Sequence, residues 1–288
     1  MLKKLVNENI LATKVKIFFA RISYFFAILV YGKKPRIITR DGIKFEVDLS
    51  EGIDLSLFLF GKYQEHVVCN KLVHIPDDAL IIDVGANMGA MALQYAKRAA
   101  RGKVYAFEPT DYSMARLRRN IELNPALASR IEVIQSFVSS EDTANPLLKA
   151  YASWKVGGRP AESLHPVHRG AVKPAEGVGA VTLDKFCSYR QLPRLDLVKI
   201  DTDGHEYEVL AGARETIKKY RPYIIFEAGM YAMKEKNLNF SFFSDYFSSF
   251  GYKLYDSIKA VEITGLNYEK YIPANATIDI IAIPESKN

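Results

Sequence analysis

Between residues 79 and 283 the chain alternates short apolar runs with amphipathic ones, at a spacing of about thirty residues. ALIIDVG, KVYAFE, RIEVIQS, LDLVKID and YIIFEA read as strands. MGAMALQYAKRAA, DYSMARLRRNIELN, HEYEVLAGARETIKKY and FSFFSDYFSSF read as helices. Strands separated by helices are joined by crossovers, so neighbouring strands run parallel and helices cover both sheet faces. The last two apolar runs, YKLYDS and ATIDIIAI, are linked by a Gly/Asn/Pro-containing stretch with little helical pattern, which predicts one antiparallel strand. The expected fold is α/β: Rossmann-like, doubly wound, with a mostly parallel sheet.

What precedes this region reads differently. RIITRDGIKFEV, residues 36–47, places Asp41-Gly42 between alternating runs, a hairpin signal. Residues 51–75 are more helical in pattern. The expected organisation is an N-terminal basic helical extension (1–35), a hairpin and helical lead-in (36–75), and a main domain (76–288) with an insertion at about 140–180. That insertion is rich in Gly, Pro, Ala and charge, and a loop so long within a compact domain is usually functional or disordered. It carries the only tryptophan, Trp154, with His165 and His168. The expectation is a segment that covers the substrate.

Charge narrows the partners. The net charge of +6 owes much to Lys3, Lys4, Lys14, Lys16, Arg21, Lys33, Lys34 and Arg36. Phe18, Ile22, Phe25, Phe26 and Leu29 recur at helical spacing beside them. Residues 15–31 are too short and too often interrupted by charge to span a bilayer, and no leader-peptide cleavage pattern is evident. Residues 1–35 therefore read either as an amphipathic helix lying on a membrane or as a helix docked on its own domain or on a second subunit of a homodimer. The expected location is cytoplasmic, with peripheral contact on the inner face of the membrane under the first reading. Cys69 and Cys187 form neither a disulfide framework nor a metal cluster, and no metal is expected: the H-x-x-H spacing of His165 and His168 is nonspecific. No basic stripe interleaved with aromatics points to nucleic acid.

LIIDVGANMG, residues 80–89, concentrates the site signals. Ligands of open α/β sheets sit beyond the carboxyl ends of the strands. Asp83 ends a strand there, Gly85 permits close backbone approach, and Gly89 starts the following helix. Glu108 ends the next strand, where a carboxylate can accept both ribose hydroxyls, so a nucleoside-bearing cofactor is expected. The glycine pattern is neither G-x-G-x-x-G nor a Gly-Lys-Ser/Thr loop, which argues against a pyrophosphate cradle.

These segments resemble the FkbM family of class I S-adenosylmethionine (AdoMet)-dependent methyltransferases. The resemblance is carried by IIDVGANMG (81–89), KVYAFEP (103–109), NIELNP (120–125), TLDKF (182–186) and VKIDTDGHEYEVLAGA (198–213), and covers roughly residues 40–285. It implies a seven-stranded sheet, AdoMet as methyl donor and usually O-methylation of a sugar or small molecule. By it, Asp83, Gly85 and Asn87 would hold the methionine part of the cofactor and Glu108 the ribose; Gly89 and Ser136, which closes RIEVIQS, are grouped with them. The family usually has Val-Glu where this chain has Thr202-Asp203.

An acceptor hydroxyl needs alignment and a base. Asp201, ending its strand at the crevice, is the first candidate, and His205 the second. The alternative for this block is a helix start, with Asp203 and Glu206 in a capping pattern. Glu227 ends another strand at the same crevice, and Trp154 could stack on a sugar ring. The expected acceptor is a sugar hydroxyl of a bacterial surface glycan or lipid-linked precursor. A soluble polyketide-like metabolite is the alternative, and a non-catalytic AdoMet-binding subunit a third reading. The Asp-Pro-Pro-aromatic pattern usual in nucleobase or amide N-methylation is absent.

Overall fold

The computed structural model describes residues 20–61, 63–144, 146, 148, 150–151, 155–156, 172–173, 175–274 and 276–285. Trp154, His165 and His168 lie outside them. Helix α1 (20–31) leads into a hairpin, β1 (Arg36–Arg40) and β2 (Ile43–Val47). Its turn residues Asp41 and Gly42 have φ of 48° and 75°, the positive values that a two-residue type I′ connection requires. Two short helices follow, α2 (Gly52–Phe60) and α3 (Glu65–Val68).

The large sheet then begins with β3 (Leu80–Val84), α4 (Ala90–Arg98), β4 (Lys103–Phe107), α5 (Asp111–Glu122), α6 (Pro125–Ala128) and β5 (Ile131–Ile134). Four two-residue strands, β6 (Phe137–Val138), β7 (Ala150–Tyr151), β8 (Val172–Lys173) and β9 (Ala180–Val181), form two small pairs in and around the insertion. The chain returns through α7 (Leu183–Tyr189), β10 (Leu197–Ile200), α8 (Glu206–Ala211), α9 (Arg214–Tyr220), β11 (Tyr223–Gly229), α10 (Met230–Glu235) and α11 (Ser241–Ser249). It closes with β12 (Tyr252–Asp256), β13 (Glu262–Ile263), α12 (Tyr268–Tyr271) and β14 (Thr277–Pro284).

The strand order is β13-β12-β14-β11-β10-β3-β4-β5. Pairings from β5 through β11 are parallel, and β14 is antiparallel to both its neighbours. This is the expected doubly wound sheet of seven strands, with the two-residue β13 added at one edge. After β3 the chain builds outward to β5, then crosses back to β10 on the other side, so the switch point lies between β3 and β10. The strands alternate between two apolar clusters: Ile81, Leu197, Ile225 and Ile281 belong to one face, Ile82, Val198, Ile224 and Ile280 to the other.

One expected helix is broken. The run 205–220 is two helices, α8 and α9, because Gly212 packs its backbone onto the 139–140 segment; a Cβ there would lie 2.1 Å from the Ser139 carbonyl oxygen. Asp184 then caps α9, accepting from Glu215 N at 3.1 Å and Thr216 N at 2.7 Å.

The lead-in is fastened to the main domain by polar contacts. Asn120 accepts from Glu46 N at 2.8 Å and donates to Met88 O at 2.8 Å. Asn124, one turn later on the NIELNP segment, accepts from Lys44 N at 2.9 Å and donates to Lys44 O at 2.7 Å. The two asparagines thus satisfy the free backbone edge of β2. Asp54 of α2 is fully buried, accepts from Asp48 N at 2.6 Å and pairs with Arg116 of α5. Burial raises the Asp54 carboxyl to about 7, against the opposing pull of Arg116.

Two predictions follow from this fastening. Asn120→Leu leaves the Glu46 amide and the Met88 carbonyl unpaired, and should cost about 1–3 kcal/mol, read as a lower urea midpoint at unchanged slope. Asp54 binds its proton more tightly folded than unfolded, so its contribution is greatest in acid and is lost as pH rises from 3.8 to about 7. Asp54→Asn should flatten the fall of melting temperature across that window; an unchanged slope would assign the dependence elsewhere.

Candidate functional site

A crevice open to solvent lies at the switch point, with about 560 Å³ of space that includes part of the solvent in its mouth. One wall is the end of β3 with the loop to α4, and a second is the end of β4. Phe137, Val138 and Leu148 form an apolar side, and the segment from Asp201 to His205 closes the fourth.

Glu108 is the most constrained polar group on the wall. It is 6% exposed. Its Oε1 accepts from Thr110 N at 3.0 Å and from Thr110 Oγ1 at 2.7 Å, and its Oε2 accepts from Asn87 N at 2.9 Å. Thr110 also caps α5, its hydroxyl accepting from Ser113 N at 3.2 Å. These bonds fix the carboxylate plane: Oε1 is doubly engaged by Thr110, while Oε2 keeps a lone pair for a ligand. Burial raises its carboxyl above the usual range, against the pull of the Thr110 and Asn87 donors.

The glycine of the loop serves a backbone neighbour. Gly85 has φ of 81°, and a Cβ on it would lie 1.9 Å from the Asp201 carbonyl oxygen. The end of β10 therefore approaches the end of β3 as closely as a side-chain-free residue allows. Asn87, also left-handed at φ 49°, turns its amide onto Glu108.

Asp83 departs from the sequence expectation. It does not face the cavity: it is fully buried, on the face of the sheet shared with Ile81. Lys199 of β10 stands opposite it in register, and strand alternation puts Lys199 and Asp201 on that same face. The Lys199 ammonium, with its side chain 5% exposed, lies 3.5 Å from Asp83 Oδ1 and 3.2 Å from Asp201 Oδ2. Burial alone would lower this ammonium, but the Asp201 and Asp83 carboxylates outweigh it and leave Lys199 raised. Asp83 reaches the cavity only through this lysine. Gly89 likewise turns from the cavity; it packs on Leu117, whose Cδ1 a Cβ would meet at 2.5 Å.

The remaining candidates divide. Gly85, Asn87, Glu108, Ser136, Asp201 and His205 all line the cavity. Ser136 Oγ is turned to backbone carbonyls, Phe137 O at 2.8 Å and Gly179 O at 3.0 Å. His205 Nδ1 is 3.1 Å from Lys236 Nζ, and Lys236 also pairs with Glu208. Glu208 Oε1 lies 3.8 Å from the same Nδ1, so this ring nitrogen sits between an ammonium and a carboxylate. Asp203 is not a helix cap: it is left-handed at φ 53°, and the carboxylate of Glu206 folds back to accept from Thr202 N at 2.9 Å and Thr202 Oγ1 at 3.0 Å. Glu227 lies off the main cavity, beside a smaller one, and accepts from Thr277 Oγ1 at 2.5 Å. Burial, then the Asp201 and Glu206 carboxylates, push Asp203 and Glu227 well above the usual range.

Sequence reasoning missed three participants. Lys199 interrupts the apolar run of β10, and a lysine there was the available signal. Gln64 and Tyr63 come from the loop between α2 and α3, where no periodicity marks them. Gln64 Nε2 reaches Asp201 Oδ2 at 3.5 Å. Burial and then Asp201 and Glu227 push the Tyr63 hydroxyl up. Among the described residues no group of three His, Cys, Asp or Glu is arranged to hold a metal ion.

Residues 83–254 match the Methyltransferase FkbM domain family. The chain is 28% identical over 200 residues to Methyltransferase sdnD of Sordaria araneosa, covering 58% of this chain and 76% of that one. It is 26% identical to the 2-O-methyltransferase NoeI of Sinorhizobium fredii, over 50% of this chain and 61% of NoeI. It is 23% identical to the hexuronic acid methyltransferase AglP of Haloferax volcanii, over 54% of this chain and 58% of AglP. Among solved structures, a methyltransferase FkbM from Methylobacillus flagellatus KT aligns at TM-score 0.47 and 15% identity, over 73% of this chain and 45% of that one. A family match across more than half the chain, centred on the crevice between β3 and β10, places this protein in the FkbM methyltransferase family, with S-adenosylmethionine as its methyl donor.

Proposed function

We propose that the protein methylates a hydroxyl of a sugar, in a surface glycan or its lipid-linked precursor. The observation that carries this reading is Asp201: a carboxylate on the cavity wall whose Oδ2 is held by Lys199 and Gln64, which leaves Oδ1 for an acceptor hydroxyl. Support comes from two relatives whose names specify 2-O-methylation and a hexuronic acid.

The cavity fits AdoMet. Glu108 offers an oriented acceptor, Oε2, for a ribose hydroxyl, the Gly85–Asn87 turn brings backbone close, and Phe137, Val138 and Leu148 suit a flat apolar base. When bound, the sulfonium supplies an electrophilic methyl group for in-line displacement. The rest falls to the chain. Asp201 Oδ1 accepts the hydroxyl proton of the acceptor and so orients its oxygen. Lys199 holds that carboxylate in place from the buried side. His205, its Nδ1 held between Lys236 and Glu208, lines the cavity beside Asp201.

The reading is tested by transfer of labelled methyl from AdoMet to fractionated extract of the source cells. Label in the glycan or lipid-linked fraction supports it, and label confined to soluble metabolites overturns it. Asp201→Asn should lower kcat at least about 100-fold while AdoMet affinity shifts less than about threefold; an unchanged kcat removes Asp201 from the mechanism. Glu108→Ala should weaken AdoMet binding about 10- to 100-fold by calorimetry. Because burial raises the Glu108 carboxyl and only its ionised form offers all acceptor sites, AdoMet affinity should rise as pH climbs out of the usual carboxylate range. Glu108→Gln should remove most of that rise.

A further inference from the structure

Helix α1 is inside-out for a helix held only by its own domain. Its inward side is made of small residues and one ring: Ala27 is in the core, and Ala20 and Tyr24 pack against it. Its outward side carries the large apolar residues Ile22, Phe25, Phe26, Leu29 and Val30, with Phe26 60% and Val30 73% exposed. A helix stabilised by its own core presents the reverse arrangement, and a contiguous apolar face of this kind marks an interaction surface.

The helix is also rigidly mounted. Its last turn closes at Gly32, whose amide donates to Ile28 O at 2.8 Å. The Arg36 guanidinium donates to Tyr31 O at 2.5 Å and Gly32 O at 2.9 Å, and lies over the Tyr31 and Phe58 rings. Tyr31 in turn packs edge-on against Phe58 of α2, with centroids 5.1 Å apart. The apolar face is thus held at a set angle to the methyltransferase fold.

We propose that this face docks on an anionic membrane surface. Exposed Arg21, Lys33 and Lys34 flank the apolar stripe at both ends of the helix. The preceding residues 1–19 add Lys3, Lys4, Lys14 and Lys16 against one acidic residue, Glu8. Apolar insertion beside a basic rim is the chemistry of an interfacial helix on acidic lipid headgroups. Residues 20–31 span only ~18 Å, and no helix among the described residues is long and apolar enough to cross a bilayer. A second copy fits less well. Two-fold pairing of a single short helix would bring Arg21, Lys33 and Lys34 near their own counterparts, and one face of three turns falls short of the ~800 Å² per partner of a stable interface.

The inference stands apart from the identity of the acceptor, and its test uses the full chain with lipid alone. Vesicles of phosphatidylcholine, and of phosphatidylcholine mixed with phosphatidylglycerol, are sedimented with wild-type protein and with the double variant Phe26→Glu/Leu29→Glu. AdoMet affinity is measured in parallel as the readout of an intact fold. Wild type should sediment with the anionic vesicles, less so as salt rises. The double variant should bind them at least about tenfold more weakly with AdoMet affinity unchanged. Equal binding by the double variant, or no binding of wild type to anionic vesicles, overturns the proposal. So does a wild-type dimer, by light scattering, that the double variant dissolves while vesicles capture neither protein: the face then belongs to a second copy.

Discussion

The site is organised around a buried lysine. Lys199 sits in the middle of the sheet, opposite Asp83 in register and two residues before Asp201 on the same face. Placing an ammonium there is costly unless carboxylates answer it, and two do, at 3.5 Å and 3.2 Å. The outer partner is the proposed acceptor-binding carboxylate. Asp83 is the counterweight that keeps one lysine shared rather than fully committed to Asp201. The bareness of Gly85 belongs to the same device, since only a residue without a Cβ lets the Asp201 carbonyl approach β3 so closely.

One partner of Asp201, Gln64, comes from outside the region matched to the family. The match begins at Asp83, whereas Tyr63, Gln64 and Asp54 precede it. The hairpin and α2 stay in place through Asn120, Asn124 and Arg116, all on or just after α5. The NIELNP segment therefore acts at a distance: its asparagines hold a strand edge whose continuation carries Gln64 to Asp201.

Much of the fold could be read from period alone, because parallel strands buried on both faces leave continuous apolar runs such as LIIDV and YIIF. The hairpin was readable too, since Asp41-Gly42 allows few other conformations. Glu108 was assigned by its place at a strand end, and the structure puts it on the cavity wall. Asp83 was not readable in the same way. Its run shows that it points away from Ile82 and Val84, but whether that direction leads to a cavity or to a buried cation depends on Lys199, which is remote in sequence. The break at Gly212 was hidden for a related reason: helical pattern continues through 205–220, and only contact with Ser139 interrupts it. Gln64 and Tyr63 sit on a loop, where side-chain identity carries no periodic signal.

Carboxylates crowd the carboxyl ends of β3, β4, β10 and β11. Asp83, Glu108, Asp203, Glu206 and Glu227 all stand above the usual carboxylate range, chiefly because burial disfavours their ionised forms. Against them the sheet sets Lys199. Of these carboxyls only Glu108 and Asp203 line the cavity. Asp83 is answered by Lys199, Glu206 by the Thr202 donors and Glu227 by the Thr277 hydroxyl. The face that a ligand meets is therefore much less acidic than the cluster as a whole, and burial keeps its carboxyls readier to hold a proton than free ones.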